Sequence, residues 1–314
     1  MAEPDEGRDI LDPEPTGETV AAVVPPAQES TSPTGDPSDG PLAPFPRGAA
    51  AGDCLHRILE RIALGEPLST PTNQAVLERE LRRAGLDPTW QESATEGLER
   101  MRLTPFGGPL GPLRPADLAA ESRQAEMGFD LRIDTVCAED LARPFHEHPG
   151  GAFGSPYAER LAALPIASRG FLTGSIDLVF HAPPEVDGGR WWVLDWKSNW
   201  LGERDATGQP RSCGPRHYAP EAMALLMADR HYPLQAHLYL VALHRHLGWR
   251  LPHYEPERHL GGYAYIFLRG TPGPSAGDTW PQSDPVPGMM VERPPLARLL
   301  ALDAALGGRS EAPW

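Results

Sequence analysis

The chain has 314 residues, 43 of them acidic and 28 basic, for a formal net charge of −15. That length suffices for one well-buried core, and no apolar run approaches the roughly 18 residues a membrane-spanning helix needs. The start lacks the basic-plus-apolar pattern of a secretory signal, and Cys54, Cys137 and Cys213 are widely spaced, odd in number and outside any CxxC pattern, which argues against a disulfide framework or a zinc site and suits a reducing cytoplasm.

Much of the negative charge is local. Residues 1–46 hold ten acids, one base (Arg8) and ten prolines, a composition that cannot form a core. They are expected to be a disordered acidic linker or tail, with the folded domain occupying 47–314. Gly52 to Ile62 reads as a helix with Leu55, Ile58, Leu59 and Ile62 at helical spacing and His56 at the edge of that stripe. On pattern alone such a histidine is a partly buried structural residue. Two further helices are predicted between Pro71 and Met101, the second starting at Pro88 and anchored by Trp90, Leu98 and Met101. Residues 104–115 are Pro- and Gly-rich loop. Ala125 to Ile133 reads as a strand with Phe129, Leu131 and Ile133 on one side and Glu126 at its start, and Pro156 to Leu164 as a short helix.

The stretch from Gly170 to Trp200 is predicted to be two strands joined by the turn formers Pro183 to Gly189. Ile176, Leu178 and Phe180 alternate with Ser175, Asp177 and Val179 in the first strand. Trp192, Leu194 and Trp196 alternate with Val193, Asp195 and Lys197 in the second. A hairpin folded about Val186 sets Asp177 opposite Asp195, with Cβ atoms roughly 5 Å apart, and strand parity puts Lys197 on the face of Asp195. Two facing carboxylates repel and are costly to bury. A divalent cation between them resolves both problems, and oxygen ligands suit Mg²⁺ or Mn²⁺. The alternative is a surface hairpin with a polar, wet face. Composition favours the site, because Lys197 is the only lysine in the chain and every other basic residue is arginine. A position that keeps lysine in such a chain needs a compact point charge rather than a planar fork.

After a polar loop from Gly202 to Pro215, helices are predicted over Ala219–Asp229, with Met223, Leu226 and Met227 facing a core, and from Pro233 to about Leu247. Gln235 and Tyr239 share a face of the latter. Gly261 to Leu268 reads as a central strand, Gly270 to Gly288 as loop and Arg293 to Leu306 as a closing helix. The fold class is therefore α/β (α+β), a mixed central sheet flanked by helices with a helical N-terminal portion. No GxxxxGK[ST] is present, so this chain offers no P-loop ATP site.

Asp177 followed by Asp195-Trp196-Lys197 resembles the signature of the PD-(D/E)xK nucleases, whose core is restriction-endonuclease-like. PFPRGAAAGDCLHRILERI, GSIDLVF, VLDWKSNWLG, YPLQAHLYLVALHRHL and GGYAYIFLRG, in that order from about Pro46 to Arg269, resemble the nuclease domain of the RecB family, the exodeoxyribonuclease V beta subunits. The resemblance implies a Mg²⁺-dependent DNase of repair and recombination in which Asp177, Asp195 and Lys197 are catalytic. It implies a cation held by His56, Asp177, Asp195 and the backbone carbonyl of Trp196, with Glu126 steadying a water or a second ion. It matches Gln235 and Tyr239 to a motif that faces nucleic acid. The implied partners are DNA, RecC-like and RecD-like subunits, a separate RecB-like helicase and RecA, in the bacterial cytoplasm. The four-cysteine iron–sulfur cluster of some relatives is not expected here, for want of cysteines. A catalytically silent docking module on the same fold is the competing functional reading.

Overall fold

A computed structural model describes residues 39–274 and 285–307. The segment opens with helices α1 (Ala49–Arg61), α2 (Pro71–Arg83) and α3 (Trp90–Leu103), followed by short 3₁₀ turns. Strand β1 (Arg123–Cys137) leads into α4 (Ala138–Glu147) and α5 (Ser155–Ala162). The hairpin strands are β2 (Ala167–His181) and β3 (Trp191–Lys197). A small ribbon, β4 (Glu203–Arg204) and β5 (Pro210–Ser212), precedes α6 (Pro220–Asp229), α7 (Tyr232–Arg250) and α8 (Pro256–His259). The segment closes with β6 (Leu260–Phe267), β7 (Met289–Glu292) and α9 (Leu296–Ala305).

Five strands form one sheet in the order β1-β2-β3-β6-β7. All neighbours are antiparallel except β3 and β6, which run parallel and are therefore joined by a helical crossover. Helices cover both faces. Val179, Val193, Tyr263, Tyr265 and Phe267 pack with α4, α5, α6, α7 and α9, while Leu178, Phe180, Trp192, Leu194, Trp196 and Ile266 pack with α1, α2 and α3. Every residue of β6 is buried, as a strand covered on both sides requires. This mixed sheet between helical layers is consistent with a restriction-endonuclease-like core. Among the described residues no helix is long and apolar enough to cross a membrane.

Trp192 explains an adjacent pair of glycines. Its indole lies against β6 so closely that a Cβ on Gly261 would come within 2.4 Å of Nε1, and one on Gly262 would meet the Glu292 carbonyl at 2.0 Å as well as the ring at 2.8 Å. The ladder between β3 and β6 shifts register at the same place, between Trp191 and Val193.

Three expectations need amendment. Residues 1–38 lie outside the described residues, but 40–46 are packed into the body rather than belonging to a tail that ends at 46. Leu42 and Phe45 are buried, and the buried Arg269 guanidinium donates to the carbonyls of Leu42, Phe45 and Pro46. Composition hides this, because backbone carbonyls carry the contact. Ile176 joins the α7 side of the core, not the side of Leu178 and Phe180. Glu126 takes a left-handed φ of 49° between the pairs Ala125–Leu178 and Met127–Ile176, and the alternation changes side there without a shift of register. Finally, the loop expected over Gly202–Pro215 carries the β4–β5 ribbon. The expected loop of 270–288 falls partly on residues 275–284, outside the described residues.

His237 on α7 has a cost that can be measured. It lies fully buried between the rings of Phe145 and Tyr263, with Nδ1 2.6 Å from the Pro233 carbonyl and Nε2 without a hydrogen-bond partner. Burial pushes its pKa down to about 3 from 6.5. The unfolded chain therefore takes up a proton below pH 6.5 that the folded chain refuses. Stability should fall as pH drops through that window, by about 1.4 kcal/mol per pH unit. Urea unfolding of wild type and His237→Gln at several pH values checks this; the variant should lose that part of the slope.

Candidate active site

The hairpin has the register that its turn predicts: Leu178 pairs with Leu194, Val179 with Val193 and Phe180 with Trp192. Pairing stops there, and Asp177 and Asp195 occupy the next position. Asp177 Oδ2 accepts the Trp196 N–H at 2.8 Å, so a side chain replaces the backbone acceptor as the strands part. Trp196, expected to contribute its carbonyl, is engaged here through its amide.

α1 brings His56 to the same carboxylate, with Nδ1 3.3 Å from Asp177 Oδ2. The helix can approach because Gly52, one turn earlier, faces the residue that follows Lys197. A Cβ at Gly52 would lie 3.1 Å from Ser198 Oγ. Arg57 donates to the buried Glu80 carboxylate, and Arg61 pairs with the same group, tying α1 to α2 and fixing the helix that carries His56.

Lys197 lies on the face of Asp195, as strand parity predicts, with Nζ 2.8 Å from Asp195 Oδ2. The contact is an ion pair without a directed hydrogen bond, for that oxygen is buried with no hydrogen-bond partner. Nζ donates instead to Gln235 Oε1 at 3.1 Å and sits 4.0 Å from the ring centre of Tyr232 and 5.3 Å from that of Tyr265. Gln235 and Tyr239 are buried and hydrogen-bonded to each other. They stand behind Lys197 rather than on an open, nucleic-acid-facing surface, because their face of α7 packs on the sheet. Glu126 lies across β1–β2 at the position of Asp177 and accepts from Ser175 Oγ at 2.7 Å.

The electrostatics are those of crowded carboxylates. Burial and the neighbouring Asp177 charge push Asp195 up to about 7, against the opposing pull of Lys197. Burial also works against Asp177, but the nearby His56 outweighs it and holds that carboxyl below its usual range. Burial disfavours charge on His56, yet Asp177 lifts its pKa to about 9. Burial likewise opposes charge on Lys197, and Asp195 more than restores it. One carboxylate is thus stabilised as an anion while the other is held back by its neighbour.

Two carboxylates and an imidazole form a donor set suited to a hard divalent cation. Among the described residues no three His, Cys, Asp or Glu side chains are gathered closely enough to make a completed metal site. The groups pair off instead, Asp177 with His56 and Asp195 with Lys197. Two crowded carboxylates share only His56 and Lys197 as counter-charges, and Asp195 stays lifted even beside Lys197, so the residues fit a cation chemically. Tyr232 and Tyr265 were not legible as site residues. Tyr265 lies beside Asp195 across a parallel ladder between strands far apart in sequence.

No protein-family model matches the chain. Curated proteins do match it. The RecBCD enzyme subunit RecB of Mycobacterium tuberculosis (strain CDC 1551 / Oshkosh) is 34% identical over 288 residues, covering 85% of this chain and 24% of that subunit. The chain is a relative of RecB. The Escherichia coli K12 RecB is 31% identical over 265 residues, covering 84% of this chain and 20% of the subunit. That of Mycolicibacterium smegmatis is 33% identical over 307 residues, 93% of this chain and 26% of the subunit. The chain therefore spans about a quarter or less of the RecB subunits it matches.

Proposed function

We propose that this RecB-like chain is a Mg²⁺-dependent DNA nuclease module of double-strand break repair and recombination, hydrolysing phosphodiester bonds. The observation that carries this is the meeting of Asp177, Asp195 and the chain's only lysine where β2 and β3 part. Asp177, Asp195 and His56 would hold the cation, which supplies charge neutralisation for the phosphoryl group under attack. Lys197 contributes its compact ammonium, donating to the attacking water and to a non-bridging phosphoryl oxygen as negative charge develops. The rings of Tyr232 and Tyr265 keep bulk water from that ammonium and so strengthen its field. Relatives named as subunits of the RecBCD enzyme support RecC-like and RecD-like partners; a separate RecB-like helicase, and RecA further along the same repair process, complete the proposal.

The lack of a P-loop separates hydrolysis from motor activity. The purified chain should degrade end-labelled linear duplex and single-stranded DNA with Mg²⁺ alone, EDTA should stop it, and ATP should neither accelerate it nor be consumed. A requirement for ATP hydrolysis by this chain, or DNA left intact with Mg²⁺ and Mn²⁺, would overturn the proposal.

A further inference from the structure

We infer that Tyr265 is a positioning residue which, acting through Gln235, holds the Lys197 ammonium in one orientation beside Asp195; the inference rests on the nuclease reading above. Tyr265 is fully buried on β6 in register with Asp195, so it has no direct path to DNA. Its hydroxyl donates to Gln235 Oε1 at 2.9 Å, the oxygen that also accepts from Lys197 Nζ at 3.1 Å. The other end of the same amide donates to the Tyr239 hydroxyl at 3.0 Å.

The two ends of a carboxamide are nearly alike in shape and opposite in hydrogen-bonding sense. Flipped, Gln235 would aim N–H donors at an ammonium that can only donate. Two donors converging on Oε1 make the productive orientation the stable one, and Tyr265 supplies the donor that is not itself part of the reaction. The Tyr265 ring adds a second constraint. With Tyr232 it flanks Nζ at cation–π distance, while Asp195 and Gln235 contact it from other directions. An ammonium on a flexible four-carbon stem is otherwise poorly located.

The sole lysine makes the test direct. Protein labelled with ¹³C,¹⁵N-lysine gives one side-chain Cε resonance, which belongs to Lys197 without further assignment. In wild type that resonance should be single and displaced from free lysine by the two rings. In Tyr265→Phe, which keeps the ring and loses the hydroxyl, it should broaden or split as the amide samples both orientations. In Tyr265→Leu it should also move toward the free-lysine position. Single-turnover cleavage with Mg²⁺ should fall about 10-fold in maximal rate for Tyr265→Phe, the effect of one lost hydrogen bond, with half-saturating DNA unchanged. Tyr254→Phe, which removes a hydroxyl bonded to His244 away from the site, is the control and should match wild type in both measurements.

An unaltered lysine resonance in Tyr265→Phe overturns the inference, whatever happens to cleavage. So does a variant that changes half-saturating DNA at constant maximal rate, which would mean contact with substrate. If wild type cleaves nothing, the nuclease reading fails and the lysine resonance alone decides whether Tyr265 positions Lys197.

Discussion

Asp177→Asn and Asp195→Asn should each lower single-turnover DNA cleavage by at least about 10³-fold, roughly 4 kcal/mol of barrier. Each substitution keeps the size of the side chain and removes one charge from a pair whose crowding already lifts Asp195 to about 7. With one carboxylate gone, the remaining charge is satisfied by Lys197 or His56 and no longer calls for an external cation. The loss should therefore come through metal binding. Melting temperature should hold or fall, because each variant leaves a cation without its carboxylate, His56 for Asp177→Asn and the buried Lys197 for Asp195→Asn. A variant that folds, binds DNA and still cleaves near the wild-type rate would remove these carboxylates from the chemistry.

Lys197→Arg should cost at least about 10²-fold in cleavage, roughly 2.7 kcal/mol, with DNA binding nearly unchanged. The charge is preserved, and arginine serves at every other basic position of the chain. What changes is shape. Nζ occupies a space bounded by Asp195 Oδ2 at 2.8 Å, Gln235 Oε1 at 3.1 Å and the Tyr232 ring centre at 4.0 Å. A planar guanidinium cannot fill that space without displacing Gln235 or stacking on Tyr232, and either movement misplaces the donor that should face the attacking water. Wild-type rates for this variant would reduce Lys197 to an ordinary cation.

The parts of this site legible in sequence were those carried by local pattern. The run of turn formers around Val186 set the hairpin register, and the register put Asp177 across from Asp195. Parity put Lys197 with Asp195. The helix carrying His56 was legible from the spacing of Leu55, Ile58 and Leu59, but its approach to Asp177 depends on Gly52 fitting against Ser198, a contact between distant segments. The less legible parts depend on pairing across long stretches of chain. Tyr265 reaches Asp195 through a parallel ladder, and the length of the crossover carries no information about register. Ile176 changes side where Glu126 takes a left-handed conformation that its residue type does not announce. Residues 40–46 pack because Arg269, more than two hundred positions later, collects their carbonyls. Helix α4 contains Pro144, an unpromising residue for a helix interior, and Asp140 caps its start by accepting the Cys137 N–H.

The claim on which the rest depends is that Asp177 and Asp195 together hold one divalent cation, and calorimetric titration with Mn²⁺ tests it without reference to catalysis. Wild type should show a saturable binding event that Asp177→Asn and Asp195→Asn each weaken at least about 10-fold, the counterpart of about 1.4 kcal/mol. Scattered carboxylates elsewhere in this acidic chain are common to all three proteins and cancel in the comparison. Equal Mn²⁺ binding by wild type and both variants would contradict the account.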